Sequence, residues 1–218
     1  MIRPLPVTRV IAAAVSAASV AVGAACSGSG GTKASTATSQ APTAAVGAAG
    51  VLHQAALNME TVNSYRFAGA VSAGGRTVNL AGEFGAPDRL HETITVAGAA
   101  PVERIVIGTV AYQRAGTTWR AAPGTASASD PRSTFAALAQ ATTVSQQGSA
   151  YRFTLAGAAA GSLISGGPAS NTVTGTVIVF DNHVTDLSFQ SGTASTAVHF
   201  TYSDFGTAPP VVAPKLTV

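Results

Sequence analysis

GTVIVFDNHVTDLSFQ, Gly175 to Gln190, decides the class of this chain. It reads as two apolar-polar runs, TVIVF and VTDLSF, about a polar turn at Asp181-Asn182-His183, which is the pattern of an antiparallel hairpin. Downstream, STAVHFTYSDFG continues with period 2, placing Val198, Phe200 and Tyr202 on one side. Pro209-Pro210 then forbids further ladder pairing at those positions. Upstream, SAYRFTLAG (Ser149 to Gly157) is another strand, and AAAGSLISGGPAS is a small-residue connection with room for a short helix.

Further upstream the same alternation recurs. YRFAGAVS and TVNLAGEF flank a turn at Gly74-Gly75, with Tyr65, Phe67 and Val71 as one set and Val78, Leu80 and Phe84 as another. DRLHETITV sets Leu90, Ile94 and Val96 against His91, Thr93 and Thr95, and VERIVIG, TVAYQRAG and TTWRAAP follow, with Gly108 at a tight turn. Two segments have helical rather than strand period. Val51, Leu52, Ala55, Ala56, Met59 and Val62 form one apolar stripe, ended near Asn63-Ser64. Asp130-Pro131 supplies an N-cap and a first-turn proline for a second helix, with Phe135, Leu138 and Ala139 on one face. Helix, strands, helix, strands is an α+β layout: a strongly curved antiparallel sheet with helices covering one side.

The amino terminus is different. MIRPLPVTR carries Arg3 and Arg9 with no acid, and IAAAVSAASVAVGAA is apolar apart from two serines. A positive start, a short apolar run and small residues at its end describe a secretory signal peptide over residues 1–25. The run is shorter than the roughly 20 residues of a membrane-spanning helix. Residues 26–50, rich in Ser, Thr, Ala and Gly, carry too little apolar bulk to order and read as a flexible tether. Residues 51–218 are the folded body. Of the twelve basic residues, Arg3 and Arg9 leave with the leader, so ten face nine acidic ones. A near-neutral body with scattered cations offers no nucleic-acid patch. Cys26 is the only cysteine, so no internal disulfide forms.

Catalytic signatures are missing. No serine is framed as G-x-S-x-G, and neither a P-loop nor a dinucleotide fingerprint occurs. His53, His91, His183 and His199 are not spaced as metal ligands. Asp181 and Asp186 flank the hairpin turn, where aspartates most often serve backbone hydrogen bonds. Binding rather than catalysis is the expectation, with no metal and no cofactor.

Three stretches carry a family resemblance. VIVFDNHVTDLSFQ, the closing HFTYSDFGTAPPVVAP, and Ser64 to Phe67 after the opening helix together resemble the LppX/LprG family of mycobacterial and related actinobacterial lipoproteins. The resemblance implies a LolA-like half-open barrel around a hydrophobic cavity that holds the acyl chains of a lipid or glycolipid during transport across the envelope, with a membrane lipid exporter as a partner. The apolar alternates Phe67, Val71, Leu80, Phe84, Ile94, Val96, Ile105, Ile107, Tyr112, Trp119, Phe135 and Leu138 are the candidate lining. Gly69, Ala70, Ala81, Gly82, Ala97 and Gly98 would leave room beside them. Finally, VGAACSGSG resembles a lipobox, with Gly23 where leucine is preferred. It implies lipidation at Cys26 and an anchor on the outer side of the cell membrane; the alternative for this stretch is ordinary cleavage after a small-x-small site such as Val22-Gly23-Ala24, leaving a free thiol. The alternative reading is an envelope interaction lipoprotein without lipid transport.

Overall fold

A computed structural model of the chain describes residues 47–121, 132–163, 172–191 and 196–216. The leader, Cys26, nearly all of the tether and the Asp130-Pro131 helix start lie outside these residues.

Helix α1, Ala48–Thr61, buries Leu52, Ala55, Ala56 and Met59, the stripe read from the sequence. It starts three residues before Val51 because Gly47 takes the extended N-cap conformation and alanines fill the first turn. It stops where Val62 turns extended. Among the described residues eleven strands follow: β1 Ser64–Ala73, β2 Arg76–Gly85, β3 Arg89–Val96, β4 Val102–Ile107, β5 Val110–Ala115, β6 Thr118–Ala121, β7 Thr143–Gln147, β8 Ala150–Ala156, β9 Thr172–Phe180, β10 His183–Ser191 and β11 Ala197–Ser203. Helix α2, Arg132–Leu138, precedes β7, and α3, Gly157–Leu163, joins β8 to β9.

All eleven strands make one sheet in the order β6-β5-β4-β3-β2-β1-β11-β10-β9-β8-β7. Each half is an antiparallel meander, and the pairing of β1 with β11 joins the first half to the last. The sheet is open, with β6 and β7 at its edges. Strand β7, TVSQQ, has no counterpart in the sequence reading. Only Val144 in it is a large apolar residue, and its pairing with β8 orders it as an edge.

Turn chemistry agrees with the sequence. Gly74 and Gly75 have φ of 56° and 75°, and Asp181 and Asn182 have φ of 48° and 58°. Two consecutive left-handed residues give the turn whose twist matches the flanking strands. Asn182→Val places a β-branched side chain in that region and is expected to lower stability by about 1–2 kcal/mol, read as a shift of the urea midpoint. An unchanged midpoint contradicts the assigned turn.

The main core lies between the three helices and one face of the sheet, called here the inner face. The helices pack chiefly on β7, β8, β9 and β10. Tyr65, Phe84, Phe135, Leu138, Leu155, Val173, Val177 and Leu187 are fully buried there. Tyr65 is its hub: the Phe84 ring lies 5.1 Å away, Tyr202 5.7 Å and Phe135 6.2 Å, the last two edge-on.

Three mid-strand glycines, Gly69, Gly82 and Gly175, sit on the inner face. A Cβ on Gly69 would meet the His199 carbonyl and the Phe200 ring, on Gly82 the His91 carbonyl, and on Gly175 the Ser188 carbonyl and the Phe153 ring. Glycine in a strand interior marks a tight bend or a close backbone approach. Here the partner strand's own backbone occupies the space. Ala97 and Gly98 instead form the β3–β4 turn, with Gly98 at φ 79°.

The carboxy-terminal segment runs along one end of the first six strands. Gly206 N–H donates to Ser64 O, Arg89 Nη1 donates to Val211 O, and Leu216 bridges Trp119 on β6.

Candidate ligand surface on the inner face

Strand register assigns every side chain to a face, because residues paired across antiparallel strands point the same way. The inner face carries Tyr65, Phe67, Gly69 and Val71 of β1 opposite Phe84, Gly82, Leu80 and Val78 of β2. Those face Leu90, Glu92, Ile94 and Val96 of β3. Phe67, Val71, Leu80, Ile94 and Val96 are half-buried, and the helices pack mainly on the other half of the sheet. Five of the twelve candidate lining residues therefore share one apolar surface. Phe84, Phe135 and Leu138 are buried to 1% or less in the helix-packed core.

The remaining four lie elsewhere. Leu90 pairs with Val106 and Glu92 with Arg104, so the inner residues of β4 are Val102, Arg104 and Val106. Ile105 and Ile107 consequently point to the outer face. The register then carries Tyr112 opposite Ile105, and Trp119 opposite Arg114, out with them. The sequence misleads here because VERIVI is apolar on both sides. Its bulkier set faces outward, and its inner set has a charge in the middle.

That charge belongs to a pair. Glu92 is 4% exposed, and Arg104 Nε donates to its Oε1 at 2.7 Å, with Nη2 also in contact. Sequence reasoning missed both residues, although Glu92 interrupts the apolar alternation of LHETITV and Arg104 that of VERIVI.

The outer face holds a charged ladder with one residue per strand from β1 to β5. Arg66 meets Glu83 at 3.5 Å and Asp204 at 3.1 Å. His91 stands between Glu83 and Glu103, each 3.0 Å from one ring nitrogen, and Arg114 Nη1 donates to Glu103 at 2.7 Å. The hydrogen bond from Arg114, opposed by partial burial and aided by His91, holds the Glu103 carboxyl below its ordinary 4.5. A depressed carboxyl adds stability above its unfolded-state value and loses it as pH falls through the folded value. The gap in melting temperature between the wild type and Arg114→Gln is therefore expected to close below about pH 4. Its size at neutral pH corresponds to at most about 1 kcal/mol and shrinks with salt. A gap that persists at pH 3 would contradict this coupling.

Two openings can be described. One is a solvent-open groove of about 640 Å³ on β8–β11 and β1, whose polar lining includes Ser72, Arg152, Thr174, Gln190 and His199. A second, of about 360 Å³, lies at Glu60, Arg132, Ser133 and Ala136. Beside the first groove, Asp186 binds His199 Nε2 at 2.8 Å. Asp181 sits in the exposed turn, where its carbonyl accepts from His183 Nδ1 at 2.7 Å. Each aspartate thus has its own structural partner. Among the described residues no three His, Cys, Asp or Glu side chains converge to hold a metal, and no helix is long and apolar enough to cross a membrane.

No family model matches the chain, and no curated protein sequence does. Solved structures do match. The crystal structure of the Mycobacterium tuberculosis lipoprotein LppX aligns at 15% identity over 75% of this chain and 97% of that one, with a TM-score of 0.53. LprF from Mycobacterium bovis aligns at 14% identity over 77% and 96%, with a TM-score of 0.60. At these identities the likeness is one of fold. The open eleven-stranded sheet is the fold that the hairpin and closing strand resemble.

Proposed function

We propose that this chain, sharing the fold of LppX and LprF, is an envelope lipoprotein that binds the acyl chains of a lipid or glycolipid. The binding surface is the helix-poor half of the inner face, and the role is to carry that lipid across the envelope. One observation carries the reading: Phe67, Val71, Leu80, Ile94 and Val96 form a half-buried apolar floor away from the main helix packing. Gly69 and Gly82 bring the strands beneath it into close approach. Each acyl CH2 laid on such a floor gains up to about 0.8 kcal/mol. A carrier of this kind needs shape and apolar area rather than a catalytic group or a cofactor. Anchoring through a lipidated Cys26 would hold the body at the outer side of the cell membrane, and several acyl chains there would make attachment stable. A membrane lipid exporter would be the natural partner for loading.

The test is mass spectrometry of organic extracts from the purified body, with Ile94→Glu as the comparison. The expected result is an acyl lipid near one per protein in the wild type and a loss of several-fold in the variant. No acyl lipid in either, with no uptake of added lipid, would reject the proposal. Separately, Cys26→Ala is expected to leave the membrane fraction or to accumulate with its leader. The same variant at mature size in membranes would remove the anchor.

A second reading, an interaction module without lipid transport, has one observation in its favour. Phe180 at the β9–β10 hairpin is 73% exposed and Ile178 beside it is 37% exposed. Unchanged envelope lipids but a lost protein complex in a Phe180→Ser strain would select it.

A further inference from the structure

We infer that the ligand of the inner face is an anionic acyl lipid, whose carboxylate or phosphate is held by Arg120 at the β6 edge while its chain runs inward over the apolar floor. The inference rests on the acyl-binding reading above and adds the chemistry of the head group.

The register places a polar row across this face. Gly82 of β2 pairs with Glu92 of β3, Glu92 with Arg104 of β4, Arg104 with Gln113 of β5, and Gln113 with Arg120 of β6. Apolar rows flank it: Leu80, Ile94 and Val102 on one side, and Leu90, Val106 and Ala111 on the other. A row of this composition is a poor choice for a purely structural floor, because an apolar replacement of a buried ion pair is often neutral or stabilising.

The charges in the row are not balanced. Glu92 receives Arg104 through both Nε and Nη2, so those two charges cancel. Arg120 is left over. It is exposed, and among the described residues it makes no ion pair or hydrogen bond. Among the described residues the row therefore ends on β6, beside the Trp119–Leu216 bridge, in one uncompensated guanidinium. Such a fork pairs bidentately with a carboxylate or a phosphate. Gln113, next to it on the same face, offers a further amide donor. From β6 to β2 is four strand spacings, roughly 19 Å, enough to lay an acyl chain from the rim to Leu80 and Ile94. The order along the ligand follows: charge at the edge, hydrocarbon toward the centre.

The experiment titrates delipidated protein with oleic acid, oleyl alcohol and inorganic phosphate by calorimetry, in the wild type and in Arg120→Gln. Because the Arg120 side chain is exposed, the variant is expected to keep the wild-type melting temperature. Oleate is expected to bind at least tenfold more tightly than oleyl alcohol, and Arg120→Gln to abolish that preference while leaving oleyl alcohol unchanged. Equal affinities in the wild type, or a preference that survives Arg120→Gln, overturns the head-group assignment and leaves the acyl-binding reading intact. Failure of both oleyl compounds to bind overturns the acyl-binding reading and this inference with it. Phosphate binding that depends on Arg120 while neither oleyl compound binds assigns the arginine to a free anion, and that too overturns the inference.

Discussion

Arg104→Ala is expected to destabilise the body by about 3–5 kcal/mol. The substitution removes the cation that Nε and Nη2 bring to Glu92, whose side chain is only 5% exposed. The carboxylate then stands uncompensated between the apolar rows of Leu80 and Ile94 on one side and Leu90 and Val106 on the other. The paired variant Glu92→Leu with Arg104→Met is expected to recover most of the loss, because no charge is left buried. Urea denaturation of the wild type, the two single variants and the double variant gives the coupling energy directly. A loss below about 1 kcal/mol for Arg104→Ala would mean that water reaches Glu92 and that the pair behaves as a surface pair. The double variant has a second use. If it stays folded, the ion pair is not what the fold requires.

Gly82→Val is expected to cost at least about 3 kcal/mol, at the upper end of overpacking effects. The new Cβ would fall on the His91 carbonyl oxygen and close to the Glu92 Cα of β3. Both are backbone atoms of a paired strand, so no side-chain rotation relieves the clash. Strands β2 and β3 must separate, and the Glu92–Arg104 pair moves with them. For a domain of this size, 3 kcal/mol corresponds to roughly 6–12 °C in melting temperature. Gly98→Ala is the comparison. Gly98 lies in the β3–β4 turn at φ 79° with nothing within 4 Å of a built Cβ. Its cost is backbone strain alone, about 1–2 kcal/mol. Equal effects at the two positions would show that close strand approach is not what Gly82 serves.

Much of the architecture is legible in the chain because hairpins are local. The alternation in β1, β2 and β3 and the turns at Gly74-Gly75 and Asp181-Asn182 depend on residues a few positions apart. The stripe of Leu52, Ala55, Ala56 and Met59 is equally local, and each of these features stands in the structure where the sequence places it. Strand β7 shows the limit of that reasoning. TVSQQ lacks an apolar alternation and is a strand because β8 lies beside it. The candidate surface divides in the same way. Phe67, Val71, Leu80, Ile94 and Val96 are legible because one side of β1, β2 and β3 is clearly more apolar. Ile105, Ile107, Tyr112 and Trp119 are apolar alternates as well, and alternation does not say which face is the inner one.

The sequence by itself determined which residues share a face within a strand, where the strands reverse, and which helical stripe is buried. These follow from periods of 2 and 3.6 and from left-handed turn residues, all of them properties of neighbouring positions. Only the tertiary structure decided that β1 joins β11, that the helices cover the β7–β10 half, and that Arg104 lies inward beside Glu92. Those outcomes depend on which strands meet across long stretches of chain. The physical reason is that a period of two is blind to sign. It sorts side chains into two sets, and the partner strand then determines which set is inside.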